Sequence, residues 1–104
     1  MKVIYSVLRE INIGTALPIA KEYNFKQREF ENFIFLLENE GYVERVFRID
    51  TFFSLKPARL TKKGHDFLEN HKYLEASYPD KQDIIKWIQM EKEMYSNGAK
   101  EEIN

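Results

Sequence analysis

The spacing of apolar residues changes at Gly41, and no other feature of the 104-residue chain constrains its fold as much. Before that point Phe30, Phe33, Ile34 and Leu37 recur at i, i+3, i+4 and i+7, which predicts a helix over 26–40. After it, Tyr42 to Ile49 is rich in β-branched and aromatic residues, and Phe52 to Leu55 resumes the pattern beyond Asp50-Thr51. That reads as a β-hairpin. Its turn lacks the glycine that a tight primed turn prefers, so a longer tip is expected.

The rest of the chain is helical in spacing. Val3, Val7, Leu8 and Ile11 predict a helix over 2–12 that Gly14 stops. Thr15 is placed to cap a short second helix over 16–23, with Pro18 inside its first turn, where a missing donor matters least. Leu60-Thr61 opens a further helix with Thr61 as its cap and Phe67 and Leu68 facing inward. A polar stretch from Tyr73 to Tyr78 leads to a last helix over 79–95 carrying Ile84, Ile85, Trp87, Ile88 and Met94, and 96–104 reads as a frayed tail. The expected architecture is one domain over 1–95, α+β and mostly helical. Its element order is that of a winged helix-turn-helix, with a three-helix core, a β-hairpin wing and two C-terminal helices. An ordinary α+β domain with the same elements fits the pattern too.

Composition removes several classes of function. The absence of cysteine excludes a disulfide scaffold, a thiolate zinc site and a cysteine nucleophile. No apolar run approaches the roughly 18 residues of a membrane span. The segment Met1 to Ser6 meets Arg9-Glu10 too soon for a signal peptide, so a cytoplasmic protein without membrane contact is expected. There is no glycine-rich phosphate loop, no G-x-S-x-G and no metal-ligand series. His65 and Glu69 share a helical face with Asp66 and His71 nearby, but not at metalloprotease spacing, and they read as surface residues. No enzyme, metal or cofactor is expected.

Two motifs carry a resemblance. Phe30-x-x-Phe33-x-x-x-Leu37-x-x-Glu40-Gly41-Tyr42-Val43 resembles the helix end and wing entry of many winged-helix proteins, and Leu60-Thr61-Lys62-Lys63-Gly64-x-x-Phe67-Leu68 resembles the start of the helix after the wing. PadR-like and MarR-like regulators share both. With Ile84-Ile85-Lys86-Trp87-Ile88 in a final helix, the chain is most similar to the YjcQ-like proteins of Gram-positive bacteria and their phages. The resemblance implies a winged-helix fold in a bacterial or prophage setting. It also implies Ser or Thr capping the helix over 26–40, where this sequence has Lys26; Asn24 is the alternative cap.

The net charge of −1 hides an uneven distribution. Residues 45–63 hold Arg45, Arg48, Lys56, Arg59, Lys62 and Lys63 against Asp50 alone, while residues 16–44 and 73–104 are each −3. A basic wing on an acidic body suits contact with duplex phosphates, so these six bases and Lys26 are the expected phosphate ligands. Lys62 and Lys63 stand in the first turn of a helix, where a cation opposes the macrodipole unless a phosphate lies there. On the helix over 26–40, Gln27, Arg28 and Asn32 are the candidates for reading base edges, although the same face reads equally well as a solvated surface and carries Glu29, Glu31, Glu38 and Glu40. Phe35 on that face, with Trp87, Met90 and Met94 on the last helix, are candidate protein contacts, and a homodimer through the C-terminal helix is the expected use of the latter. Two functions follow: a DNA-binding regulator, or a winged helix that docks on a host or phage protein without binding DNA.

Overall fold

The computed structural model of the chain describes residues 1–90, and its first element is helix α1 (Lys2–Ile13). This helix buries Tyr5, Val7, Leu8 and Ile11 together with two polar residues, Ser6 and Glu10. Gly14 closes it with φ 75°, donating its N–H to the Glu10 carbonyl.

The helix expected over 16–23 is reduced to one 3₁₀ turn, Ala20–Tyr23, and Thr15 caps nothing. Pro18 is the physical reason: it disfavours helical backbone at Leu17 and is buried itself, so the chain stays extended to Ile19 at φ −128°, ψ 156°. Asn24 ends the turn in the left-handed region at φ 58° and does not cap the next helix.

Helix α2 (Gln27–Asn39) buries Phe30, Ile34 and Leu37. Its start is stabilised from inside, since the Glu29 carboxylate accepts the Lys26 N–H at 2.7 Å. Glu22 does the same for the Ile19 N–H at 3.1 Å. Tyr23 stacks on Phe25 and Phe30 with centroids 6.3 and 6.2 Å apart, which fixes the turn against the helix. Gly41 ends α2 at φ 85°, with Tyr42 N–H on Leu37 O and Gly41 N–H on Glu38 O, a Schellman closure.

The hairpin is two short ladders. Strand β1 (Val43–Glu44) pairs with β4 (Arg59–Leu60), and β2 (Phe47–Ile49) pairs with β3 (Phe52–Ser54), all antiparallel. Arg45, at φ 64°, breaks the outgoing strand that the sequence suggested was continuous. The tip is a two-residue loop, shorter than expected, because Asp50 itself takes the left-handed conformation at φ 52°. Aspartate is among the few side chains that do so routinely.

Helix α3 (Lys62–Asn70) begins at a tight junction. The Thr61 hydroxyl accepts the Gly64 N–H at 3.1 Å and donates to the Gly41 carbonyl, while Thr61 N–H bonds Tyr42 O at 3.0 Å. A Cβ on Gly64 would lie 2.2 Å from Tyr42 O. The polar stretch after α3 forms a 3₁₀ helix, Lys72–Ser77, with Leu74 buried. Another 3₁₀ turn, Lys81–Asp83, precedes helical residues 84–90, so the last helix starts later than its composition suggested. Met94, and the proposed boundary and tail at 95–104, lie outside the described residues. The chain is an α+β protein, mostly helical, and no helix among the described residues is long and apolar enough to cross a membrane.

In an open helix Gly→Ala stabilises by about 1 kcal/mol. Gly64→Ala reverses that sign because the new methyl meets a backbone carbonyl; a loss of about 2–3 kcal/mol is expected by urea denaturation.

Candidate nucleic-acid interface

The expected phosphate ligands divide into two groups according to what they already touch. Arg48 lies 3.6 Å from Glu38 and spreads over the rings of Phe35 and Phe53 at 5.2 and 5.9 Å. Lys62 pairs with Asp66 at 3.1 Å, four residues along its own helix. Lys63 reaches back to the Glu40 carbonyl at 2.6 Å and lies over the Tyr42 ring. Its charge therefore sits at the C-terminal end of α2, where the helix dipole favours it, and the unfavourable position inferred at the start of α3 is relieved inside the protein. Lys26, Arg45, Lys56 and Arg59 are exposed, and their side chains have no ion-pair partner among the described residues.

Two open grooves connect part of this second group. One, of ≈ 520 Å³, is lined by Lys56, Arg59, His65 and Asn12, with no acid in its wall. The other, of ≈ 270 Å³, lies between Gln27 at the start of α2 and Ser54-Lys56 at the end of the wing, with Phe30 and Phe53 in its floor. Lys56 belongs to both, so the basic stem of the hairpin reaches the first turn of α2. Arg59 stands opposite Glu44 across the β1–β4 ladder, so one acid borders the basic stem of the hairpin.

On α2, Arg28 and Asn32 are exposed as a base-reading role requires, whereas the Gln27 amide donates to Glu31 at 2.8 Å. Glu29 accepts at the helix start, Glu31 accepts from Gln27 and Glu38 pairs with Arg48, so three of the four acids that weighed against DNA already have partners. Phe35 is exposed beside Arg48, and its neighbour Leu36 is exposed too. The last helix is a correction. Trp87 is buried, donates to the Ser77 hydroxyl at 3.1 Å and packs edge-on to Tyr78 at 5.2 Å, so it offers no contact surface; Met90 is exposed. Among the described residues no three His, Asp or Glu side chains form a group that would hold a metal, and the His71 ring bonds Phe67 O at 2.8 Å.

No protein-family model, curated protein or solved structure matches the chain.

Sequence reasoning missed a second polar cluster altogether. Each hydroxyl has one proton to give, so the bonds run from Tyr23 to Ser6 (2.8 Å), Ser6 to Tyr78 (2.8 Å) and Tyr78 to the Glu10 carboxylate (2.7 Å). Arg9 closes the outer side, holding Glu10 at 2.7 Å and Glu75 through two nitrogens at 2.5 and 3.3 Å, with its guanidinium 3.9 Å above the Tyr78 ring. Lys81 completes the cluster 3.7 Å from Glu10 and 3.4 Å from Glu22. No buried side-chain nitrogen or oxygen lacks a partner among the described residues. The two bonds of the Ser6 hydroxyl span 17 and 72 residues of sequence, and only Ser6 and Glu10 on the apolar face of α1 could have signalled the cluster. The cluster joins α1 to the 3₁₀ turn and to residues 75–81; its members are all used on one another, which gives it a structural role.

The Arg9 hydrogen bond holds the Glu75 carboxyl below its usual range, assisted by the Tyr5 hydroxyl and opposed by burial. A depressed folded value stabilises above the unfolded value, near 4.5, and that contribution disappears as pH falls through the lowered one. Glu75→Gln should therefore lower stability at pH 7 and flatten the decline as pH falls below about 4.5, measured by thermal melts across an acid pH series.

Proposed function

We propose that this chain is a winged-helix protein that binds duplex DNA, a non-enzymatic regulator of bacterial or prophage transcription. The 3₁₀ turn Ala20–Tyr23, the bend at Asn24 and helix α2 correspond to the helix-turn-helix, the split hairpin to the wing, and α3 to the helix behind it. The resemblance of the two motifs favours the same assignment, and their residues have the physical roles such a junction needs: Gly41 closes α2, Thr61 caps α3 and Gly64 admits the Tyr42 carbonyl.

The observation that carries the reading is the acid-free groove of Lys56, Arg59, His65 and Asn12, continuous through Lys56 with the first turn of α2. A phosphate backbone lying along it would meet cations with no ion-pair partner among the described residues, while Arg28 and Asn32 are exposed and have the side chains suited to bidentate contact with purine edges. Binding should be weak for a single copy, because only four of the seven expected cations are unpaired.

Fluorescence anisotropy with a labelled duplex over a salt series tests this. Four phosphate contacts give a slope of log K against log salt of about −3 to −4. Lys56→Glu/Arg59→Glu should abolish binding at low salt, and Arg48→Ala should change the slope little, since Arg48 is spent on Glu38 and Phe35. Arg28→Ala should relax sequence preference with the slope nearly intact. No binding at low salt ends the reading. The exposed pair Phe35 and Leu36 on α2 favours a second one, docking on a protein, and retention of a partner that Phe35→Ser releases, without DNA affinity, would replace the first.

A further inference from the structure

The wing tip has two unlike faces. Residues paired directly across an antiparallel ladder share a face, so Arg48 and Phe53 lie on one and Phe47, Ile49, Phe52 and Ser54 on the other. The first face is packed: Phe53 meets Phe30 edge-on at 6.3 Å, and Arg48 engages Glu38 and Phe35. The second is bare. Ile49 is 57% exposed, Phe52 61% and Phe47 40%, with the Phe47 and Phe52 rings packed edge to face at 5.5 Å.

The charge around this face selects among occupants. The strands descend from it to Arg45, Lys56 and Arg59, which are exposed and without ion-pair partners among the described residues, with Glu44 opposite Arg59, so the stem favours an occupant that carries negative charge. A second copy would bring the same positive stem against itself. It would also gain little area: the three side chains offer roughly 300 Å² per copy, or about 600 Å² for two, half of what a specific dimer buries. Duplex DNA offers both features, stacked bases in a narrow groove and a phosphate row on either side. Apolar side chains at the end of a rigid support insert between base steps from the minor groove and kink the duplex. Here the support is rigid because the opposite face is fixed on α2.

We infer that Ile49 and Phe52 act as an apolar wedge, entering the minor groove and unstacking a base step while Arg45, Lys56 and Arg59 hold the flanking phosphates. This rests on the duplex-DNA reading above and adds to it that the protein bends its DNA. Flexible pyrimidine–purine steps are the preferred targets, because they unstack at least cost.

Ring closure by DNA ligase tests it on DNA whose binding site is unknown, since a kink anywhere brings the ends together. A duplex of about 130 bp, shorter than the persistence length, closes rarely by itself. The wild-type chain should raise circle yield at least about fivefold at low salt. Ile49→Ser/Phe52→Ser changes exposed side chains only. It should return the yield to that of free DNA while losing at most about tenfold in duplex affinity by anisotropy, whereas Phe52→Leu, which keeps an apolar wedge, should retain closure. Wild-type protein that binds duplex without promoting circles overturns the wedge and leaves the DNA reading standing. So does a double variant that still closes rings, or a wild-type dimer, by mass in solution, that the double variant dissociates. Absence of any duplex binding ends both.

Discussion

The β-hairpin and the basic groove at its stem are positioned by one close approach, the carbonyl of Tyr42 against the first turn of α3. Gly41 ends α2 and turns the chain so that Tyr42 O meets Thr61 N–H, and only a glycine at position 64 leaves room for it. The Thr61 hydroxyl joins the two sides by accepting from α3 and donating to the end of α2. The base of the hairpin, Val43 against Leu60, is thereby anchored between two helix termini, with both side chains buried. The hairpin has no independent core. Its direction is inherited from this junction, and so is the place of the groove that Lys56 and Arg59 line.

Most of the element order was legible in the sequence, because it rests on local rules. Phe30 to Leu37 and Val3 to Ile11 repeat with helical period, Gly14 and Gly41 mark stops, and Thr61 is a helix cap three residues before the glycine it serves. What was not legible depends on competition between local signals or on distance. Thr15 has the chemistry of a cap, but Pro18 outweighed it by keeping the chain extended, and the helix shrank to one turn. Lys26 has no capping chemistry, yet α2 starts there because Glu29 supplies it from within. Asp50 closed a two-residue turn without glycine by adopting a backbone that few other side chains tolerate.

The candidate site was legible as composition and not as geometry. A linear count of bases gives each cation equal weight, whereas the fold uses some of them internally. Lys63 answers the carbonyls at the end of α2, Arg48 answers Glu38, and both do so across 10–23 residues of sequence that no periodicity connects. Acids are consumed in the same way, since Glu29 and Glu38 serve α2 and the wing. The charge available to a partner is therefore a property of the folded surface, and it concentrates on the stem of the hairpin. Tyr78 and Trp87 show the converse: Ser6 and Glu10 give the Tyr78 hydroxyl its polar partners and Ser77 accepts the Trp87 N–H, so both side chains turn inward.

The hydroxyl chain on α1 has a sense of direction. Tyr23 gives to Ser6, Ser6 to Tyr78 and Tyr78 to Glu10, and the carboxylate that only accepts at the far end is what orders the three protons. A donor in place of that carboxylate would leave two protons facing one another, and the chain could relieve this only by reversing as far as Tyr23. The turn that introduces α2 thus has the direction of its polar contact set by a group it never touches, so the electrostatic state of one end of α1 is transmitted to the start of α2 through three side-chain oxygens.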